Sequence, residues 1–146
     1  TKNFNLLILG EGEQKQLIIN EARKHNIKNI FLLGHKINPF KYIANSEIFI
    51  SSSLWEDPGH ALVESAYLNT FIITSECEAG PKEMFSNKFN CLSYPPQDVD
   101  MLTKQLKVFF QDLTIREKFS MRLQAKKLSK NYTEFMFYKS ISKFLI

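Results

Sequence analysis

The chain has 146 residues, 44% of them apolar and 23% charged, with only 5 Gly and 5 Pro. It can bury one core, and collagen-like, low-complexity and disordered classes are excluded. The net charge of +4 conceals an asymmetry: residues 1–100 carry 9 Lys/Arg against 12 Asp/Glu, and residues 101–146 carry 10 against 3.

Along the first hundred residues, short apolar runs alternate with segments of helical period, the pattern of repeated βα units on a parallel sheet. Residues 4–9 are a predicted strand ended by Gly10, Glu11 and Gly12, after which Ile18, Ala22 and His25 recur at helical steps. Residues 29–33 form the next strand, closed by Gly34. Asn38 and Pro39 supply a cap and a helix-compatible proline for a helix over residues 40–44. Residues 47–51 are the third strand. Asp57 and Pro58 repeat the cap-and-proline signal before an apolar helix over residues 61–68, and residues 71–74 are the fourth strand. Gly80 and Pro81 start a short helix running to Phe85, and residues 90–94 make a fifth strand stopped by Pro95 and Pro96.

Beyond Asp98 the period is helical. Val99, Leu102, Leu106, Phe109 and Phe110 form one stripe, and Thr114 with Glu117 gives a capping box for the following helix. Residues 133–146 contain Phe135, Met136, Phe137, Phe144, Leu145 and Ile146, more than an exposed helix face needs, so this segment is expected to pack on the fold or on a further domain. The expected fold class is α/β: a Rossmann-like three-layer α/β/α arrangement with a parallel sheet, followed by C-terminal helices. No apolar run approaches the roughly 20 residues that cross a bilayer. Thr1 opens into Lys2, Asn3 and Phe4 without an initiator Met or apolar leader, so the expectation is a cytoplasmic chain that is part of a longer protein.

Cys77 and Cys91 form neither a C-x-x-C pair nor half of a metal knuckle, and are expected as reduced core thiols. Arg116, Lys118, Arg122, Lys126, Lys127 and Lys130 suit either a solvated helix face or an anionic membrane surface. No aromatic platform or helix-turn-helix pattern accompanies them, so nucleic acid is not expected.

In open parallel sheets ligands lie beyond the carboxyl ends of the strands, which directs attention to the loops after Gly10, Gly34, Ser51 and Ser75. Gly10 and Gly12 let the backbone approach a ligand ahead of a helix N-terminus, a geometry suited to phosphate and equally to an ordinary strand-to-helix turn. The segment from Trp55 to His60 admits three readings. Glu56, His60 and Glu64 are spaced by four, as metal ligands on one helix face would be, but Pro58 and Gly59 leave Glu56 outside any helix. A carboxylate pair for glycoside hydrolysis needs a separation that spacing does not establish. In the third reading, Gly59, His60, Ala61 and Leu62 offer backbone N–H groups to an anion while Glu64, one turn in, accepts hydroxyl hydrogen bonds. The alternative to all three is that Glu56 and Asp57 cap the helix and Glu64 is solvated.

Glu56 and Glu64, separated by seven residues, after Ser51, Ser52 and Ser53 and before a buried strand, resemble the E-x7-E signature of glycosyltransferase family 4. The glycines at 10 and 12, the strand end at Gly34, Asn38–Pro39, the segment Gly80–Pro81–Lys82–Glu83 and the strand before Pro95 follow that family's usual order along nearly the whole chain. The resemblance implies the donor-binding half of a GT-B fold, with residues 1–130 as a Rossmann-like domain lacking its first βα unit and residues 131–146 as a C-terminal helix.

It implies a retaining hexosyltransferase, part of a longer or two-part enzyme, that uses a nucleotide-sugar such as a UDP- or GDP-sugar, without a metal or other cofactor. The acceptor would be a cell-envelope polysaccharide or glycolipid, in lipopolysaccharide assembly for example. The missing partner is an N-terminal acceptor-binding domain, without which the chain alone is expected to be inactive, and the enzyme would sit at the inner membrane face. By the same resemblance Glu56 is the catalytic glutamate facing the donor sugar and Glu64 holds the ribose hydroxyls. Gly59, His60, Ala61 and Leu62 cradle sugar and diphosphate, Gly10 and Gly12 lie near the phosphates, and Gly34, His35 and Lys36 lie beside the base. A non-catalytic nucleotide-sugar binding module, or a remnant served by a separate acceptor domain, is the alternative; an epimerase would need further acid/base groups that have no place here.

Overall fold

The computed structural model describes residues 4–57, 59–78, 80, 85, 90–133, 136 and 142. The elements run β1 (Leu6–Leu9), α1 (Lys15–Lys24), β2 (Ile30–Gly34), α2 (Phe40–Ala44), β3 (Ile48–Ser51), α3 (His60–Tyr67), β4 (Phe71–Ser75), β5 (Leu92–Tyr94), α4 (Val99–Lys107) and α5 (Ile115–Ser129). A π-helical turn at Val108–Asp112 follows α4, and a 3-10 turn at Lys130–Tyr132 follows α5. The chain divides into two compact units, Thr1–Pro39 and Phe40–Ile146.

The first unit is one β-α-β element. Strands β1 and β2 are parallel, in register from Leu6 opposite Ile30 to Ile8 opposite Leu32, then shifted so that Leu9 faces Gly34. The shift follows from the left-handed backbone of Gly34 (φ +69°), which turns its carbonyl to accept the Gly10 N–H at 2.9 Å. Ile18, Ile19 and Ala22 of α1 line a surface pocket together with Ile27 and with Ile30 and Leu32 of β2. It ends in a Schellman motif: Asn26 takes a left-handed conformation (φ 53°), its N–H donates to Arg23 O at 3.0 Å, and Ile27 N–H donates to Ala22 O at 2.8 Å.

The second unit is built on a parallel sheet in the order β3-β4-β5. All five residues of β4 are buried, and their alternation divides the core. Phe71 and Ile73 point to one face with Tyr94, Phe109 and Met121, while Ile72 points to the other with Leu62, Ala66, Phe85, Cys91 and Ala125. Helix α3 covers the second face and α4 with its π-helical turn covers the first, which gives this unit its three-layer α/β/α arrangement; α5 contributes Met121 to one cluster and Ala125 to the other. The Phe109 ring is 4.7 Å from that of Phe71, centroid to centroid. Helix α3 ends like α1, with Asn69 (φ 66°) donating to Ala66 O and Thr70 N–H donating to Ser65 O, both at 3.0 Å.

Most predicted elements stand within two residues of expectation. The strand pairs do not make one ladder, however: they form a two-stranded and a three-stranded sheet. The capping box forms, with Glu117 N–H donating to Thr114 Oγ1 at 3.2 Å and Thr114 N–H donating to Glu117 Oε2 at 2.8 Å. Asp57 does not cap α3; Gly59 holds that position, with no side-chain cap. Val99 is 72% exposed and leaves the apolar stripe, because it is the first residue of α4, ahead of the turn that reaches the core. The predicted helix after Gly80 and the C-terminal helix fall mostly outside the described residues. Both cysteines are free and buried, and burial, with the Glu76 charge as the smaller cause, pushes the Cys91 thiol up to about 12. Among the described residues no helix is long and apolar enough to cross a membrane.

Candidate functional site

Three strands of the second unit end in a hydroxyl: Ser51 on β3, Ser75 on β4 and Tyr94 on β5. All three are buried, so each hydroxyl needs a partner, and the partners lie in or beside the loop that leaves β3. The Tyr94 hydroxyl donates to the Ser51 carbonyl at 3.0 Å and Ser75 Oγ donates to the Ser53 carbonyl at 2.6 Å. Ser53 Oγ then donates to Glu56 Oε1 at 2.5 Å. Burial first, and the neighbouring Cys77 second, raise the Tyr94 phenol above its ordinary range, which keeps it a donor. A parallel bridge between Trp55 and Glu78 ties down the far side of the loop. The loop is thus held from the ends of all three strands, and what it presents is the Glu56 carboxylate.

That carboxylate lies against the start of α3. Gly59 has φ 78° and ψ 49°, and a Cβ built on it would sit 3.7 Å from Glu56 Oε2 and 3.5 Å from Leu62 Cδ1. The left-handed residue turns the chain sharply from the loop into the helix. In the first turn Leu62 and Val63 N–H return to the Gly59 carbonyl, at 3.0 and 3.4 Å. Leu62 therefore contributes packing, with its side chain buried and its amide engaged, while the exposed His60 and Ala61 hold the positions whose amides a helix cannot satisfy internally. Glu64 follows one turn later, half-buried, and no described residue hydrogen bonds to its carboxylate. The helix dipole and the first-turn amides favour an anion here, and Glu64 is a hydrogen-bond acceptor for hydroxyls.

In the first unit, Gly10 (φ +115°) and Gly34 are joined by the Gly10 N–H. A Cβ on Gly34 would come within 2.6 Å of Glu11 Oε1, whereas one on Gly10 or Gly12 would meet nothing within 4 Å. The glycine turn is two residues removed from the helix it was expected to start: Gln14 is the N-cap of α1, and Gly12 accepts only the Lys15 N–H, at 3.1 Å. Lys15 Nζ also pairs with Glu11 at 3.1 Å. His35 is exposed and Lys36 half-buried just past β2.

Among the described residues no three His, Cys, Asp or Glu side chains come together as metal ligands. The hydroxyls of Ser53, Ser75 and Tyr94 were missed by reading along the chain. For Ser75 and Tyr94 the signal was a hydroxyl-bearing residue closing the strand, which acquires meaning only when the strand register is known, and Ser53 lies in the loop beyond β3.

The description "Glycosyl transferases group 1" fits residues 1–127, and the chain belongs to that family. An uncharacterized glycosyltransferase of Methanocaldococcus jannaschii is 37% identical over 97 residues, covering 64% of this chain and 24% of its own length. An N-acetylgalactosamine-N,N'-diacetylbacillosaminyl-diphospho-undecaprenol 4-alpha-N-acetylgalactosaminyltransferase of Campylobacter jejuni is 27% identical over 116 residues, 79% of this chain and 32% of that protein. The chain thus spans about a quarter to a third of the length of these relatives. Among solved structures, Anabaena Alr3699/HepE in complex with UDP superposes with a TM-score of 0.86 at 13% identity, over 97% of this chain and 40% of that one. The shared fold is that of the GT-B glycosyltransferases.

Proposed function

We propose that this chain is the nucleotide-sugar-binding part of a retaining glycosyltransferase, and that further polypeptide supplies the acceptor-binding domain. The observation that carries the proposal is the Glu56 carboxylate, fixed by Ser53 and set against the N-cap of α3, with Glu64 one turn further on. In this reading the His60 and Ala61 amides take the diphosphate, Glu64 accepts from the ribose hydroxyls, and Glu56 faces the donor sugar. Transfer is promoted by electrostatic support of the departing diphosphate and by orientation of the sugar, without a metal or protein nucleophile.

Two of these similar proteins support the choice of ligands. The Anabaena structure is a UDP complex, and the Campylobacter relative acts on a diphospho-undecaprenol-linked glycan, which favours a nucleoside diphosphate donor and a glycolipid or polysaccharide acceptor. Calorimetric titration of the chain with UDP, GDP and inorganic pyrophosphate tests the donor. At least one nucleoside diphosphate is expected to bind more tightly than pyrophosphate; equal binding of all three, or none, contradicts the reading.

A further inference from the structure

Helix α5 carries five basic residues and Lys130 follows it in the 3-10 turn; the structure separates these six into two sets. Lys118 places its ammonium 4.3 Å from the centre of the Phe109 ring, Arg122 donates from Nη2 to the Glu47 carbonyl at 3.2 Å, and Lys126 lies 5.9 Å from the Tyr67 ring centre. These three serve the packing of α5 against its own unit. Arg116, Lys127 and Lys130 are exposed. With them on the outer side are Ile115, 87% exposed, Phe119, 61% exposed, and Leu123, also exposed, spaced i, i+4 and i+8. At about 100° per residue the five of these positions that lie in α5 fall within an arc of about 120°, which Lys126 shares at its base. Met121 and Ala125, on the other side, are in the core. The one acidic residue of α5, Glu117, is occupied with its cap at Thr114.

We propose that this outer face of α5 docks on an anionic lipid bilayer. An aliphatic and aromatic row with cations along one side, and no carboxylate among them, fits the boundary between acidic headgroups and acyl chains, where the apolar row is buried and the cations meet phosphates. The inference rests on the charge and exposure of α5 and stands whether or not the donor reading of α3 holds.

Co-sedimentation of the whole chain with phosphatidylcholine vesicles and with vesicles containing phosphatidylglycerol, at low and high salt, tests it. The chain is expected to pellet with the anionic vesicles and to be released as salt rises. Combined Arg116→Glu, Lys127→Glu and Lys130→Glu should lower the affinity at least a hundredfold, from roughly fivefold for each lost cation. Phe119→Ser should weaken binding without removing its salt dependence. Reversing the exposed Lys28, Lys104 and Lys107 instead should cost far less, with circular dichroism confirming that each variant is folded. Equal binding to both vesicle types, equal losses from the two triple reversals, or binding to neither vesicle would overturn the proposal.

Discussion

Ser53 and Glu56 are joined by the hydrogen bond that decides where the exposed loop after β3 points its carboxylate. Ser53 is itself fixed through its carbonyl by Ser75, and the base of the loop is fixed at Ser51 by Tyr94. The acid is therefore oriented by residues on three strands, none of which needs to contact a ligand.

Removing an outer member of this network should loosen the loop. Tyr94→Phe deletes the buried donor to the Ser51 carbonyl and should lower unfolding free energy by about 1 kcal/mol, with up to roughly 3 kcal/mol if the carbonyl is left dry. Urea denaturation measures it. Ser53→Ala should cost no more in stability, yet in the complete enzyme it should depress kcat more than KM. An unchanged kcat for Ser53→Ala would show that Glu56 needs no such support.

At Gly59, an added Cβ would make only ordinary contacts, so substitution tests backbone strain rather than crowding. Gly59→Ala should destabilise by roughly 1 to 2 kcal/mol, and Gly59→Asn by less, because Asn tolerates the left-handed region. Equal unfolding midpoints for the three proteins would contradict the left-handed cap.

The pH dependence of α5 follows from its capping box. Hydrogen bonds from the Thr114 side chain, then from its backbone N–H, lower the Glu117 carboxyl below its ordinary value of 4.5. A depressed folded-state pKa means stabilisation that is present above the unfolded value and lost as pH falls through the folded one. Glu117→Gln should therefore be less stable than the parent at neutral pH, with the gap closing below about pH 4.5. A gap independent of pH would remove the carboxylate from the cap.

What could be read along the chain was whatever local geometry determines. Thr114 and Glu117 satisfy each other within one turn, and the continuous apolar run Phe71 to Ile73 of β4 follows from its burial on both faces. Gly59 was legible as a glycine but not as the cap, because Asp57 carries the stronger cap preference and only the left-handed turn decides between them. Val99 continued a helical stripe by spacing alone, and its exposure follows from its place at the very start of α4. The Ser53, Ser75 and Tyr94 contacts span up to 43 residues and depend on β3-β4-β5 register, which no local pattern carries. The five cations of α5 and Lys130 look alike in sequence; the positions of Phe109, Tyr67 and Glu47 divide them.

The division of labour between the two glutamates is tested most directly by calorimetry with UDP or GDP on the parent chain, Glu64→Ala and Glu56→Gln. Loss of charge-assisted hydrogen bonds to the ribose should weaken nucleotide binding of Glu64→Ala by about tenfold to a hundredfold. Glu56→Gln should bind bare nucleotide as the parent does. Unchanged affinity in Glu64→Ala, or an equal loss in both variants, would contradict the account.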